Sequence, residues 1–186
     1  MNKRLLFLSL LIATDSWAES PIHNDSSTLC NTTTEQIIFS CPIVTTKKIN
    51  KTLSVCGSLP TIKDAYVEYR FGRKNKIELS YQASKHYPNH QIYLNQVELQ
   101  VGQHDTIYFK NNNIGYRLSI NRDNQGLKKT AALSIYTIHS DGYKIEQEKL
   151  AIMCDGSVQE SFIRKTQEIS FLTPQTEGQL HDWIGD

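Results

Sequence analysis

The sequence predicts a mainly β fold, an antiparallel barrel or sandwich of about eight strands with one C-terminal helix. Three observations predict it. Apolar and polar side chains alternate through most of residues 35 to 154, turn residues recur between the alternating runs, and Ser157-Val158-Gln159-Glu160 forms an S-x-x-E capping box after the last Cys.

The 186 residues divide into four segments. Residues 1–18 read as a signal peptide: Lys3 and Arg4 are its positive end, Leu5 to Ala13 its apolar stretch, and Ser16-Trp17-Ala18 a small-x-small cleavage site. The apolar stretch is far shorter than the ~20 residues a membrane-crossing helix needs, and no later run is apolar enough for one. Residues 19–34, polar and without periodicity, form a flexible N-terminal arm. Residues 35–172 are the single β domain with its C-terminal helix, and residues 173–186 an acidic tail carrying Trp183. The expected location is periplasmic or secreted. Asn24, Asn31 and Asn50 stand in N-x-[ST] sequons, which matter only in a host that glycosylates exported proteins.

Within the domain, Gln36–Val44 and Lys51–Gly57 read as the first strands. The clearest hairpin follows. Val67, Tyr69 and Phe71 alternate with Tyr66, Glu68 and Arg70 on one side of Gly72-Arg73-Lys74-Asn75, and Ile77, Leu79 and Tyr81 alternate with Glu78 and Ser80 on the other. Setting Tyr69 opposite Leu79 places Val67 opposite Tyr81 and Arg70 opposite Glu78, so apolar pairs share one face and a charge pair the other. Further strands are expected around Val97 to Val101, Ile107 to Phe109, Ile114 to Asn121 and Ala131 to Ile135, with Asn111-Asn112-Asn113 as a turn. Asp141-Gly142 is a hairpin signal before Tyr143 to Cys154. The capping box then starts a helix through Phe162, Ile163 and Ile169.

Cys30, Cys41, Cys56 and Cys154 all follow the signal peptide, and an even number in an oxidising compartment implies two disulfides. No CxxC or CxH spacing supports zinc. Of three possible connectivities, Cys41–Cys56 across the first hairpin with Cys30–Cys154 pinning the arm is preferred on symmetry. The faces disagree with that choice, because Cys41 is in step with Ile37 and Phe39 whereas Cys56 is in step with Thr52 and Ser54; a bulge near Pro42 would reconcile them.

The chain after residue 18 is charge-neutral, with 14 basic and 9 acidic residues up to Lys129 and 4 and 9 after it. That balance argues against nucleic-acid binding, which needs a cationic excess. The distinctive cations are Lys47, Lys48 and Lys51 at one turn and Arg73, Lys74 and Lys76 at the next hairpin tip. Alternate turns of a meander lie at the same end, so these six form one candidate partner-binding patch.

No catalytic signature occurs: no GxSxG elbow and no catalytic-Cys pattern. His86 and His90 have a ligand-like spacing, but Pro88 between them and the lack of a third ligand favour ordinary loop histidines. Glu68 and Glu78 could serve as paired carboxylates; ion pairing with neighbouring Arg70 and Lys76 is their simpler use. No cofactor or metal is expected.

The run from Phe39 to Tyr81, with Cys41, Ser54-Val55-Cys56-Gly57-Ser58, Tyr66 to Gly72 and Lys76 to Leu79 as its elements, resembles a pattern of small uncharacterised exported bacterial proteins. The resemblance implies export and a β-rich, disulfide-bonded fold, and no established chemistry. In size, compartment and strand number the chain is more distantly similar to periplasmic C-type lysozyme inhibitors, which implies a small antiparallel barrel with a loop that enters an enzyme cleft.

The expected function is therefore that of a non-catalytic exported binding protein, an inhibitor or immunity protein that occludes another protein, with an enzyme, a toxin or an anionic cell-envelope component as partner. The alternative is a carrier of a lipid or other apolar molecule, with a cavity lined by Leu79, Tyr81, Phe109 and Leu118. A cell-wall hydrolase is the third class.

Overall fold

Eleven strands in two sheets make up the described part of the chain, which in this computed structural model comprises residues 27–44, 50–125, 129–138, 145–154, 158–160, 169 and 171–175. The first sheet joins β1 (Glu35–Val44), β2 (Asn50–Ser58), β3 (Tyr66–Arg73) and β4 (Lys76–Ser84) as an antiparallel meander. The second joins β5 (Ile92–Leu99), β6 (Gly102–Asn111), β7 (Ile114–Asp123), β8 (Lys129–Ile138) and β9 (Ile145–Met153) in the same way. Two short segments complete the edges: β10 (Gln159–Glu160) lies antiparallel beside β1, and β11 (Leu172–Gln175) runs parallel to β5.

The mainly β expectation holds, and the sheets do not close into a barrel. Their facing sides share one core. Leu53, Val55, Val67 and Tyr69 from the first sheet meet Ile107, Phe109, Leu118 and Leu133 from the second, all of them buried. Ring contacts bridge the layers, with Tyr69 at 4.8 Å and Tyr81 at 4.4 Å from Phe109.

Several expectations are corrected. The all-antiparallel pattern has an exception at β11, which takes residues 173–175 out of the expected tail and, with Leu172, into the second sheet. No helix occurs among the described residues. Gln159 and Glu160 of the capping box pair with Ser40 and Phe39 instead, while residues 161–168 lie outside the described part. So do residues 1–18, Lys47, Lys48, Asp141-Gly142 and residues 176–186. Among the described residues, no helix is long and apolar enough to cross a membrane.

The β3–β4 hairpin keeps Val67, Tyr69, Phe71, Leu79 and Tyr81 on the expected apolar face, turns Ile77 away from it to 42% exposure, and shifts the expected register by two residues. Tyr69 lies opposite Tyr81, Phe71 opposite Leu79 and Arg70 opposite Ser80. The turn is the two residues Lys74-Asn75, since Arg73 pairs with Lys76. Continued unbroken, that register would set apolar side chains against polar ones. A bulge at Gly72 skips Glu78 and restores apolar-to-apolar pairing. Gly72 has φ 146°, and a Cβ there would come within 2.5 Å of the Lys76 carbonyl oxygen, so the bulge needs glycine.

The preferred disulfide pairing is overturned. Cys30 bonds Cys56, and Cys41 bonds Cys154. The β1–β2 bulge falls between Ile37 and Phe39 rather than near Pro42, and it sets Cys41 opposite Leu53, on the core side. Cys56, like Ser54, belongs to the other face. Cys41 therefore reaches across the core to the end of β9, tying the two sheets together, whereas Cys56 takes the N-terminal segment.

That segment is not free among its described residues. Thr28 and Cys30 are buried, Leu29 N–H donates to Ser54 Oγ at 2.9 Å, and Ser40 Oγ donates to the Ser27 carbonyl at 2.7 Å. Residues 27–34 cover the outer face of the first sheet because Ser40, Ser54 and Arg70 offer it hydrogen bonds there.

Candidate binding site

The four described members of the candidate patch, Lys51, Arg73, Lys74 and Lys76, gather at one end of the first sheet. Thr52 lies opposite Gly72, so Lys51, one residue before it in β2, is level with Arg73, and Arg73 pairs with Lys76 across the tip. Arg73, Lys74 and Lys76 are exposed. Lys51 turns inward, with its ammonium 2.5 Å from Glu78 and 5.1 Å from the centre of the Phe71 ring. The hydrogen bond from Lys51 and, more weakly, the charges of Lys51, Arg73 and Lys76 hold the Glu78 carboxyl below its ordinary pKa.

Beside Lys51 the two sheets stand apart. An open cleft of about 490 Å³ is lined by Ile43, Tyr69, Phe71 and Leu79 from the first sheet and by Leu133, Ile135, Leu150, Ala151, Ile152 and Met153 from the second. β9 is the last strand of its sheet on this side, so Leu150 and Met153 remain 46% and 61% exposed. Apolar side chains here stay in contact with water beside Lys51, whose charge is paired with Glu78 at the cleft's edge.

Of the four residues expected to line a cavity, only Leu79 does so here. Phe109 and Leu118 are each 2% exposed and fill the core, and Tyr81 stacks on Phe109 with 21° between the rings. The middle of the sandwich is packed; the opening lies at its cationic end.

A second cluster is structural. Glu35, at the start of β1, lies on the outer face, where Arg70 grips it with both nitrogens, Nη2 to Oε1 at 2.6 Å and Nη1 to Oε2 at 2.8 Å. Tyr66 donates its hydroxyl at 2.5 Å and Asn31 its N–H at 2.5 Å. Burial raises the Glu35 pKa, and these hydrogen bonds with the Arg70 charge outweigh it, so the carboxyl ends below its usual value. The Tyr66 hydroxyl is pushed up to about 12, by burial first and then by Glu35. Cys30, Glu35 and Cys56 lie close enough to imitate a metal site, but both sulfurs are spent in a disulfide and both carboxylate oxygens are occupied.

Glu68 and Glu78 are ion-paired, as expected, Glu68 with one of the expected cations and Glu78 with a different one. Glu68 takes Arg70 at 2.5 Å and a hydrogen bond from Ser80, and Glu78 takes Lys51. The predicted Arg70–Glu78 pair does not form, because the two-residue register shift separates them. Sequence reasoning passed over Glu35; its only signal was a carboxylate at the border between a polar segment and an alternating one.

The two histidines differ. His86 is exposed near Asp64, at 3.9 Å. His90 is held between Tyr81 and Tyr87, with ring centres 4.5 and 5.1 Å away, and is not an ordinary solvated loop histidine. No family model, no curated protein and no solved structure matches the chain, so its functional reading rests on this geometry.

Proposed function

We propose that the protein is a non-catalytic binding protein whose inter-sheet cleft takes an apolar chain ending in an anionic group, as a fatty acid does. The observation that carries this reading is the juxtaposition of Lys51 with about 490 Å³ of cleft lined by apolar side chains from both sheets. Ligand sites of ~300 to 1,000 Å³ lined mainly by apolar groups with a few placed polar ones are the usual form of small-molecule pockets. Two disulfides that hold the N-terminal segment and the two sheets fit service in an oxidising compartment.

Displacement of a fluorescent fatty acid by laurate and by dodecanol tests the proposal. Laurate should bind saturably, and Lys51→Glu should weaken laurate several-fold while leaving dodecanol nearly unchanged. Absence of saturable binding by both probes would overturn it.

A second reading, occlusion of an acidic protein as an inhibitor or immunity protein would achieve, is favoured by the exposure of Arg73, Lys74 and Lys76 at the hairpin tip. Chain lacking residues 1–18 should then slow a peptidoglycan hydrolase, and the pair Arg73→Glu, Lys74→Glu should relieve the effect. Equal inhibition by this variant would remove the tip from the contact.

A further inference from the structure

At the other end of β4, away from the Arg73 tip, the β4–β5 connection and the β6–β7 turn enclose a second recess of about 430 Å³. Its lining has a different chemistry. Asn89, Gln91, Asn111 and Asn112 bring side-chain amides, Lys110 an ammonium, and His90 with Tyr81 and Tyr93 aromatic rings. No carboxylate stands among these residues.

The polar groups are oriented by the fold. The connection turns back tightly, Tyr87 N–H donating to the Ser84 carbonyl at 3.0 Å and His90 N–H to the Tyr87 carbonyl at 2.9 Å. His90 Nδ1 lies 2.9 Å from the Gln82 carbonyl oxygen, which can only accept, so Nδ1 carries the hydrogen and Nε2 of the neutral ring is an acceptor. Tyr93 donates its hydroxyl to Gln91 Oε1, which fixes that amide and leaves its NH₂ as the donating end. Tyr93 is backed by Tyr108, ring centres 5.0 Å apart. Below His90 the rings continue inward through Tyr81, Phe109 and Tyr116 at 4.4 and 4.7 Å, so the wall is anchored in the core.

We infer that this recess is a saccharide-binding site. A pyranose presents adjacent hydroxyls that each donate and accept, and side-chain amides match that pattern because each carries both functions. Its C–H face suits the Tyr93 ring, which stacks on Tyr108 on one side, whereas His90 and Tyr81 are covered by other rings on both faces and meet the sugar at their edges. The competing ligand classes fit less well: an alkyl chain would leave four amides without partners, and a nucleic-acid backbone needs more than one cation. The site is independent of the cleft, which lies at the opposite end of β4.

The test is an NMR titration of the isotope-labelled protein lacking residues 1–18 with chitotetraose, maltoheptaose and oligogalacturonate. At least one should shift the amide signals of residues 89–93 and 110–112 with a Kd of about 1 mM or tighter. The pair Asn89→Ala, Asn111→Ala, at positions that are exposed and half-buried, should weaken that sugar about tenfold while leaving the thermal midpoint unchanged. Absence of shifts with all three at about 10 mM, shifts confined to other surfaces, or undiminished binding by the variant would overturn the inference.

Discussion

Glu35 and Arg70 form a two-pronged ion pair beneath the N-terminal segment, with the glutamate side chain 2% exposed and the arginine 17% exposed. The same guanidinium donates to the Leu29 carbonyl at 3.0 Å, so the pair fastens residues 27–34 to the first sheet. Replacing Glu35 by Ala leaves a mostly buried cation with only Glu68 to balance it. Loss of one partner from a buried pair costs about 3 kcal/mol, and urea unfolding should show a fall of that order. An unchanged midpoint would mean that the network adds nothing to stability.

The same cluster sets a pH window. Glu35 has a folded pKa below its ordinary 4.5, so its contribution is complete above that value and is lost as pH falls through the folded pKa. Tyr66 has a folded pKa raised from 10.0 to about 12, so its contribution is complete below 10 and is lost as pH climbs through about 12. Stability measured by urea melts should therefore be level in between and fall at both ends. Tyr66→Phe should reduce the alkaline fall, to which the other buried tyrosines such as Tyr69, Tyr108 and Tyr136 also contribute, and Glu35→Gln should reduce the acid one.

The two disulfides close loops of different length, with sequence separations of 26 for Cys30–Cys56 and 113 for Cys41–Cys154. In the chain-entropy account the shorter bridge is worth about 3.5 kcal/mol and the longer about 5 kcal/mol. Paired Cys→Ser variants compared by chemical unfolding should rank in that order. The reverse ranking would show that holding the N-terminal segment matters more than joining the sheets.

Blocking the cleft should separate binding from folding. Leu150 is 46% exposed, lines the cleft and lies opposite Ile135 on the inner face of its sheet, so Leu150→Trp can extend a ring across the cleft without disturbing the buried core. Laurate binding should fall at least tenfold with the thermal midpoint nearly unchanged. Full binding by this variant would place laurate elsewhere.

Gly72 should resist substitution. Its positive φ and the closeness of the Lys76 carbonyl strain any side chain, so Gly72→Ala should cost about 1 to 3 kcal/mol. The bulge also aims Glu78 at Lys51, so the variant should lose the depressed Glu78 pKa, which carboxyl NMR reads directly. A normal bulge with full stability would refute the steric argument.

Alternation along the chain determined by itself that residues 65–82 form a hairpin and residues 114–121 a strand, and, Ile77 apart, which apolar side chains face the core, because a period of two depends only on neighbouring residues. It also separated the faces of Cys41 and Cys56, and that local evidence was sounder than the symmetry that favoured bonding them. Only the tertiary structure decided register, bridge partners and sites. Gly72 and the Ile37–Phe39 bulge each alter pairing by one residue and so change which residues share a face, Glu35 meets Arg70 across 35 residues of chain, and the cleft exists where two sheets assembled from distant strands part. Such features arise from contacts between segments remote in sequence, and no local pattern of side chains encodes the distance between them.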